Sequence, residues 1–336
     1  MPTYQRFEFK ESVGWAGGTV ATPVAAAIYD ARKISLKHEI VEMIDSDARV
    51  GGDFPGQPLP AGRYSEIDFE CFLRGQHTAD VPAPEGALLR ACGFQETASG
   101  TTPNIVYKYT LGNPHVVATT LPGATDPALD PIDLTVNHDS LQYILDGCIG
   151  NVVANFTAGQ LPTLAFKFRG NCASEATAST AGFTETASAL SYTQGDMAVP
   201  VQNEGPTLLV NTLTATLTCV KSIEFDAGNI INPRECMGGT FGFGQALLTG
   251  YKPMLTMVVE SDLLATLNPF TDLVAGNKWT VGWTHNSGGG TGNVITGNFI
   301  GAISGPPEPG YINGQLYYTI KLAQYKGSAL PYLAWS

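Results

Sequence analysis

Several short constellations carry residue types that could do chemistry, and each misses the spacing that the chemistry needs. Asp45-Ser46-Asp47 with Gly51 and Asp53 offers carboxylates at alternate positions, as a calcium loop does. Arg49 stands where a further ligand belongs, and the spacing also needs a distant bidentate glutamate, so an acidic surface turn is the better reading. Gly288-Gly289-Gly290-Thr291-Gly292 lacks the Gly-Lys-Ser/Thr ending of a phosphate cradle and lies between two strand-like runs, which makes it a hairpin tip. His138-Asp139-Ser140 holds the residue types of a hydrolytic triad, but adjacency along the chain does not build triad geometry. The five histidines (His38, His77, His115, His138, His285) are scattered, without metal-ligand spacing. Asn155-Phe156-Thr157 fits a glycosylation sequon but sits in a strand-like run. No catalytic, cofactor-binding or metal-binding residue is assigned, and a structural rather than enzymatic role is expected.

Composition explains why. The chain has 336 residues, is 43% hydrophobic, and carries only 14% charged residues, against roughly 25% in an ordinary soluble domain. Its 38 glycines and 22 prolines disfavour long helices, while its β-branched residues suit a pleated surface. The net charge of −12 and the scattered placement of 18 basic residues exclude a protein that grips phosphates tightly. Cys71, Cys92, Cys148, Cys172, Cys219 and Cys236 are spread singly, several in apolar runs, and are expected to be reduced and buried. The first residues, Met1 to Glu8, carry acid where a signal peptide needs base, and no apolar run is long enough to span a membrane.

Elements that would position any function alternate in a β pattern. Residues 1–31 form a Gly/Ala-rich N-terminal arm. Strands are expected at Ile34–Val41, Ile67–Phe72, Ile105–Thr110, Leu141–Leu145, Asn151–Phe156 and Thr163–Phe168. A helix is expected over 82–94, led in by Pro82 and Pro84 and capped by Gly93. The stretch 171–206 is rich in Ala, Ser, Thr and Gly and shows no sustained pattern. Strands resume at Ile223–Asp226, Met254–Val259, Trp279–Trp283, Val294–Ile300 and Leu316–Leu322, with a short helix at Asp262–Leu267 ending near Asn268-Pro269.

The second half repeats the first. Ile34 aligns with Ile223 and Gly62 with Gly250, and at that same spacing Ile67, Phe69 and Cys71 fall on Leu255, Met257 and Val259. Gly150-Asn151-Val152-Val153 matches Gly292-Asn293-Val294-Ile295. Gly159-Gln160-Leu161 leading into Phe166-Lys167-Phe168 matches Gly314-Gln315-Leu316 leading into Ile320-Lys321-Leu322. The shared order of strand, strand, helix and further strands points to a duplicated domain. The expected organisation is an arm at 1–31, a first β domain at 32–172, a linker at 173–206 and a second β domain at 207–336.

These residues also carry a likeness. Leu88-Leu89-Arg90-Ala91-Cys92-Gly93-Phe94 is similar to the "LLRAAGF" segment of the tandem-domain tail tube (major tail) proteins of siphophages. Ser140 to Gly147, Gly150-Asn151-Val152 and Gly159 to Gly170 resemble that family's central run. Asp226-Ala227-Gly228-Asn229 with Thr249-Gly250-Tyr251-Lys252-Pro253-Met254-Leu255 resembles its "xGN…TGxxPxL" pattern. The likeness spans roughly residues 34–330, and Cys148 departs from it, standing where a small or basic residue is usual.

The resemblance implies a mainly β fold, a β-sandwich or β-roll with one short flanking helix per domain, in two similar tandem tail-tube-like domains. It implies a structural virion protein, made in the bacterial host cytoplasm, that assembles with itself into trimeric rings of pseudo-sixfold symmetry. Such rings stack into the hollow tail tube, with tape-measure, tail-terminator and tail-tip proteins as further partners. Genomic DNA would pass through without tight binding, and no cofactor and no membrane insertion are expected. Asp133, Asp139 and Asp146, flanking the central hairpin, are the candidate acidic residues facing the lumen. The arm and the linker are candidates for contacts between subunits or rings. An alternative reading is a β-rich carbohydrate-binding or receptor-binding virion module, with Trp15, Trp279, Trp283 and Trp335 as stacking platforms.

Overall fold

The computed structural model describes residues 5–11, 27–29, 31–44, 59–75, 82–83, 85–102, 104–112, 131–138, 141–178, 207–210, 213–216, 219–235, 243–261, 268–286, 293–325 and 327–336. The first half contributes β1 (Gln5–Glu11), β2 (Ala27–Tyr29), β3 (Arg32–Ile44), β4 (Leu59–Phe72), helix α1 (Gly86–Ala91), β5 (Phe94–Ser99) and β6 (Val106–Leu111). It continues with β7 (Ile132–His138), β8 (Leu141–Thr157) and β9 (Thr163–Ala178). The second half contributes β10 (Thr207–Val210), β11 (Leu213–Thr216), β12 (Val220–Asp226), β13 (Asn229–Glu235), β14 (Phe243–Tyr251) and β15 (Met254–Glu260). Helix α2 (Pro269–Ala275) follows, then β16 (Lys278–His285), β17 (Ile295–Ile303), β18 (Glu308–Ile312), β19 (Gln315–Ala323) and β20 (Tyr332–Trp335).

Alternation of apolar and polar residues makes these strands one-sided, and one-sided strands must stack in layers. One layer runs β3-β4-β9-β8-β12-β15-β19-β18, antiparallel at every step. The other runs β5-β6-β20-β17-β16-β10-β11, again antiparallel throughout. Their apolar faces meet in a sandwich, and β17 touches β19 at one corner. The fold is mainly β, as the composition requires. Beyond the first layer, the early residues of β8 pair with β7, which carries β1 and then β2. Hairpin β13–β14 forms a separate ribbon lying against β8 and β9.

Aromatic side chains fill the space between layers. Phe69, Phe166 and Phe168 stack with centroids 5.3 to 5.8 Å apart. Phe225 of β12 meets Phe94, Trp283 and Phe299 from the opposite layer. Each fully buried ring of this kind contributes about 2 kcal/mol or more from lost contact with water.

Two helices differ from expectation for local reasons. Helix α1 is shorter than 82–94 because Gly93 turns left-handed (φ +80) and Phe94 already begins β5. Asn268-Pro269, read as a helix end, opens α2 instead: the Asn268 side chain accepts hydrogen bonds from the N–H groups of Phe270 and Thr271, and Pro269 takes the first helical position. Both are start signals, because a proline loses no bond where its missing N–H would go unpaired anyway. Residues 262–267 lie outside the described set.

Three other expectations are corrected. The arm contains a seven-residue strand, since β1 is zipped to β7 from Gln5–His138 to Glu11–Ile132. The stretch from 171 begins as strand, because β9 continues to Ala178 against the start of β8. Of the cysteines whose side chains are described, Cys71, Cys92 and Cys148 are buried, but Cys219 is exposed. The match of Gly150–Val153 to Gly292–Ile295 relates β8 to the start of β17, strands with different places in the layers. No helix among the described residues is long and apolar enough to cross a membrane.

Candidate assembly surface

Within the first layer the pairing of one half recurs in the other. Leu36 lies opposite Ile67 in β3–β4, and Phe225 lies opposite Leu255 in β12–β15. Ile67 opposes Phe168 and Phe69 opposes Phe166, just as Leu255 opposes Leu322 and Met257 opposes Ile320. Ala154 opposes Leu164 in β8–β9, and Pro309 opposes Tyr318 in β18–β19. The strand order β3-β4-β9-β8 is therefore followed by β12-β15-β19-β18, in matching register around these pairs, with β3 bulging between Arg32 and Ser35.

The two runs are welded by β8 and β12, from Ser222 opposite Thr157 to Asp226 opposite Val153. Phe156 and Ile223 are buried in this weld, at 4% and 5% exposure. A polar clasp sits at its end. Asn151 Nδ2 donates to Asp226 Oδ1, the Asn229 N–H donates to Asn151 Oδ1, and Asn229 Nδ2 donates to the Gly150 and Cys92 carbonyls. Gly228 makes the turn at φ +63, where a Cβ would collide with the Lys252 carbonyl.

At the two ends of this layer the matching edges carry no further strand among the described residues. Among the described strands β3 pairs with β4 alone, and β18 with β19 alone. Tyr311 of β18, the counterpart of buried Phe156, is 78% exposed. An open strand edge bearing a large apolar side chain invites another strand.

The face of this layer turned away from the core is charged in a compensated pattern. On β4, Ile67, Phe69 and Cys71 point inward and Glu66, Asp68 and Glu70 outward. Lys33 reaches Glu70 at 2.8 Å, Lys37 reaches Glu66 at 3.8 Å, Arg169 Nε donates to Glu66 at 3.1 Å, and Lys321 reaches Glu308 at 2.9 Å. Burial pushes the Glu66 carboxyl up, but the Arg169 hydrogen bond and charge, with Lys167 and Lys37, outweigh it and hold it below the usual carboxylate range. Cations on this face alternate with carboxylates, and Glu224, Asp226 and Glu260 share the same outward parity.

Of the acidic residues that the sequence offers as lumen-facing, two are described. Asp133 is 6% exposed, and its Oδ1 accepts the Gly147 N–H at 2.9 Å, so in this chain it braces the β7–β8 hairpin. Asp146 is half-buried on the same hairpin, beside the buried Cys148, and Asp139 lies outside the described residues. Missed were Glu66, Asp68 and Glu70, although the alternation through Ile67–Phe72 already marks them as the polar side of a strand. Trp279, Trp283 and Trp335 are at most 5% exposed, so none of the three offers a ring face to a sugar; Trp15 lies outside the described residues. Among the described residues no cluster of His, Cys, Asp or Glu has the makings of a metal site. No protein-family model matches the chain, and no curated protein matches it significantly.

Proposed function

We propose that the chain is a self-assembling structural protein of two like halves, forming rings that stack into the tail tube of a long-tailed phage. One observation carries this reading: the β8–β12 weld joins the halves within a chain, while the edges matching its two members, β3 and β18, are unpaired by any described strand at opposite ends of the same layer. A module that joins its neighbour head to tail repeats that joint until the rotation closes, which yields a ring of chains. Closure hides the edges, and three chains of two halves give the pseudo-sixfold ring that the sequence likeness implies.

In such a ring the outward face of the first layer lines the channel. Its cations are interleaved with carboxylates, so DNA meets no row of free positive charge, and the net charge of −12 adds weak repulsion. DNA then passes without arrest. Negative-stain electron microscopy of the purified protein across a concentration series tests the reading: annular particles or tubes of threefold or sixfold appearance are expected, and compact monomers at every concentration would overturn it.

A further inference from the structure

We infer that chains join through β3 of one copy and β18 of the next, in the register of the β8–β12 weld, with Lys37 opposite Glu308 and Tyr311 opposite Ile34. The inference rests on the self-assembly reading and specifies its contact. Because β3 matches β12 and β18 matches β8, the in-chain pairs Ile223–Phe156, Glu224–Asn155, Phe225–Ala154 and Asp226–Val153 map onto Ile34–Tyr311, Ser35–Gly310, Leu36–Pro309 and Lys37–Glu308.

Three features of the free edges fit this register. First, Tyr311 faces the side on which Phe156 packs against Trp283 and His285, with centroids 5.9 and 6.1 Å away. Second, Lys37 and Glu308 are of opposite sign. Hydrogen bonds from the Ala227 N–H to the Val152 carbonyl and from the Ala158 N–H to the Lys221 carbonyl fix which pairs of the weld exchange backbone bonds. Asp226–Val153 does not, so Lys37–Glu308 falls at a non-hydrogen-bonded pair, where side chains lie closest. Glu66, Lys37, Glu308 and Lys321 then alternate in sign across four strands spanning the joint.

Third, Leu36–Pro309 falls at a position that exchanges backbone bonds, and Pro309 has no N–H to give. The joint is thereby one bond short of the weld. Lysine and proline are common guards on open edges. Here they leave the joint too weak to form indiscriminately, while the Lys37–Glu308 match admits one register.

The test uses the full chain with Cys172→Ser, Cys219→Ser and Cys236→Ser, which leaves only the buried thiols Cys71, Cys92 and Cys148 beside the introduced ones. Mixed oxidation of one chain carrying Lys37→Cys with another carrying Glu308→Cys should give a covalent dimer, and the double variant should give a ladder ending at the closed ring. Lys33→Cys with Glu308→Cys, off register, should give little. Pro309→Ala restores the missing donor and should lower the concentration for half-assembly about threefold or more, while Lys37→Glu should raise it by a similar factor and Glu308→Lys in the same chain should recover it. Circular dichroism melts confirm that each variant is folded. If the parent assembles but the Lys37/Glu308 pair does not cross-link in preference to the off-register pair, the joint is wrong and the self-assembly reading stands. If neither the parent nor Pro309→Ala associates at any concentration, both fall.

Discussion

Phe156 of β8 meets Trp283 of β16 edge-on with centroids 5.9 Å apart, so the last turn-ward residues of the first half's central strand are capped by the second half's outer layer. Phe156→Ala removes this contact and leaves a cavity between layers. A loss of about 3 kcal/mol or more in unfolding free energy is expected, read by urea denaturation, because a buried weld does not collapse to fill the void. A loss under about 1 kcal/mol, a value typical of surface positions, would show that the halves hold together by other means.

The clasp at the end of the weld should be as unforgiving. Asn229 serves Asn151 with its backbone N–H and two carbonyls with its side chain. Asn229→Ala leaves the Gly150 and Cys92 carbonyls without this donor, at an expected cost of about 2 kcal/mol. Gly228→Ala should cost at least as much, since its added Cβ meets backbone that cannot swing aside. Thermal melts of both variants check this, and unchanged midpoints would remove the clasp from the account.

Much of this arrangement was legible because burial writes a period of two into a strand. Ile67, Phe69 and Cys71 declare the inner face of β4, and the spacing from them to Leu255, Met257 and Val259 anticipates a register later seen in β4–β9 and β15–β19. The direction of Asp146 was not legible in the same way, because β8 breaks that period. Its pairing with β9 shifts between Gln142 and Ile144, between Ile144 and Leu145, and between Asp146 and Ile149, and each bulge changes which face a side chain meets. Asp133 looks like a surface acid in a polar hairpin, yet the left-handed turn at Gly147 aims a backbone N–H at it. The β8–β12 weld and the return of β20 to β6 join residues far apart in sequence, and no local pattern encodes such pairs.

Glu66 should set the acid limit of stability. Its folded pKa lies below the ordinary value of 4.5, so its contribution is complete above about 4.5 and is lost as pH falls through the folded pKa. Arg169→Met removes the main counter-charge; with burial then dominating, the folded pKa rises above the ordinary value, so the acid-side loss should vanish and stability should instead fall as pH rises through the raised pKa. Melts between about pH 2.5 and 6 compare the two proteins. Coincident profiles would mean that Lys37 and Lys167 suffice.

Glu85 predicts a slope of the opposite sign. It precedes α1, is 2% exposed, and has Oε2 buried without a hydrogen-bond partner. Burial pushes its carboxyl up to about 8, against the smaller opposing pulls of a backbone hydrogen bond and the Arg74 charge. The folded chain therefore keeps a proton that the unfolded chain releases above its ordinary 4.5. The stabilisation is complete below 4.5 and disappears as pH rises through about 8, at up to about 1.4 kcal/mol per pH unit. Glu85→Gln has nearly the same shape and never ionises, so it should match the parent near pH 5 and exceed it by about 2 kcal/mol or more at pH 9. Urea denaturation across that range measures the difference directly. If the two proteins stay parallel, Glu85 ionises in place without cost, and Arg74 must be supplying the compensation.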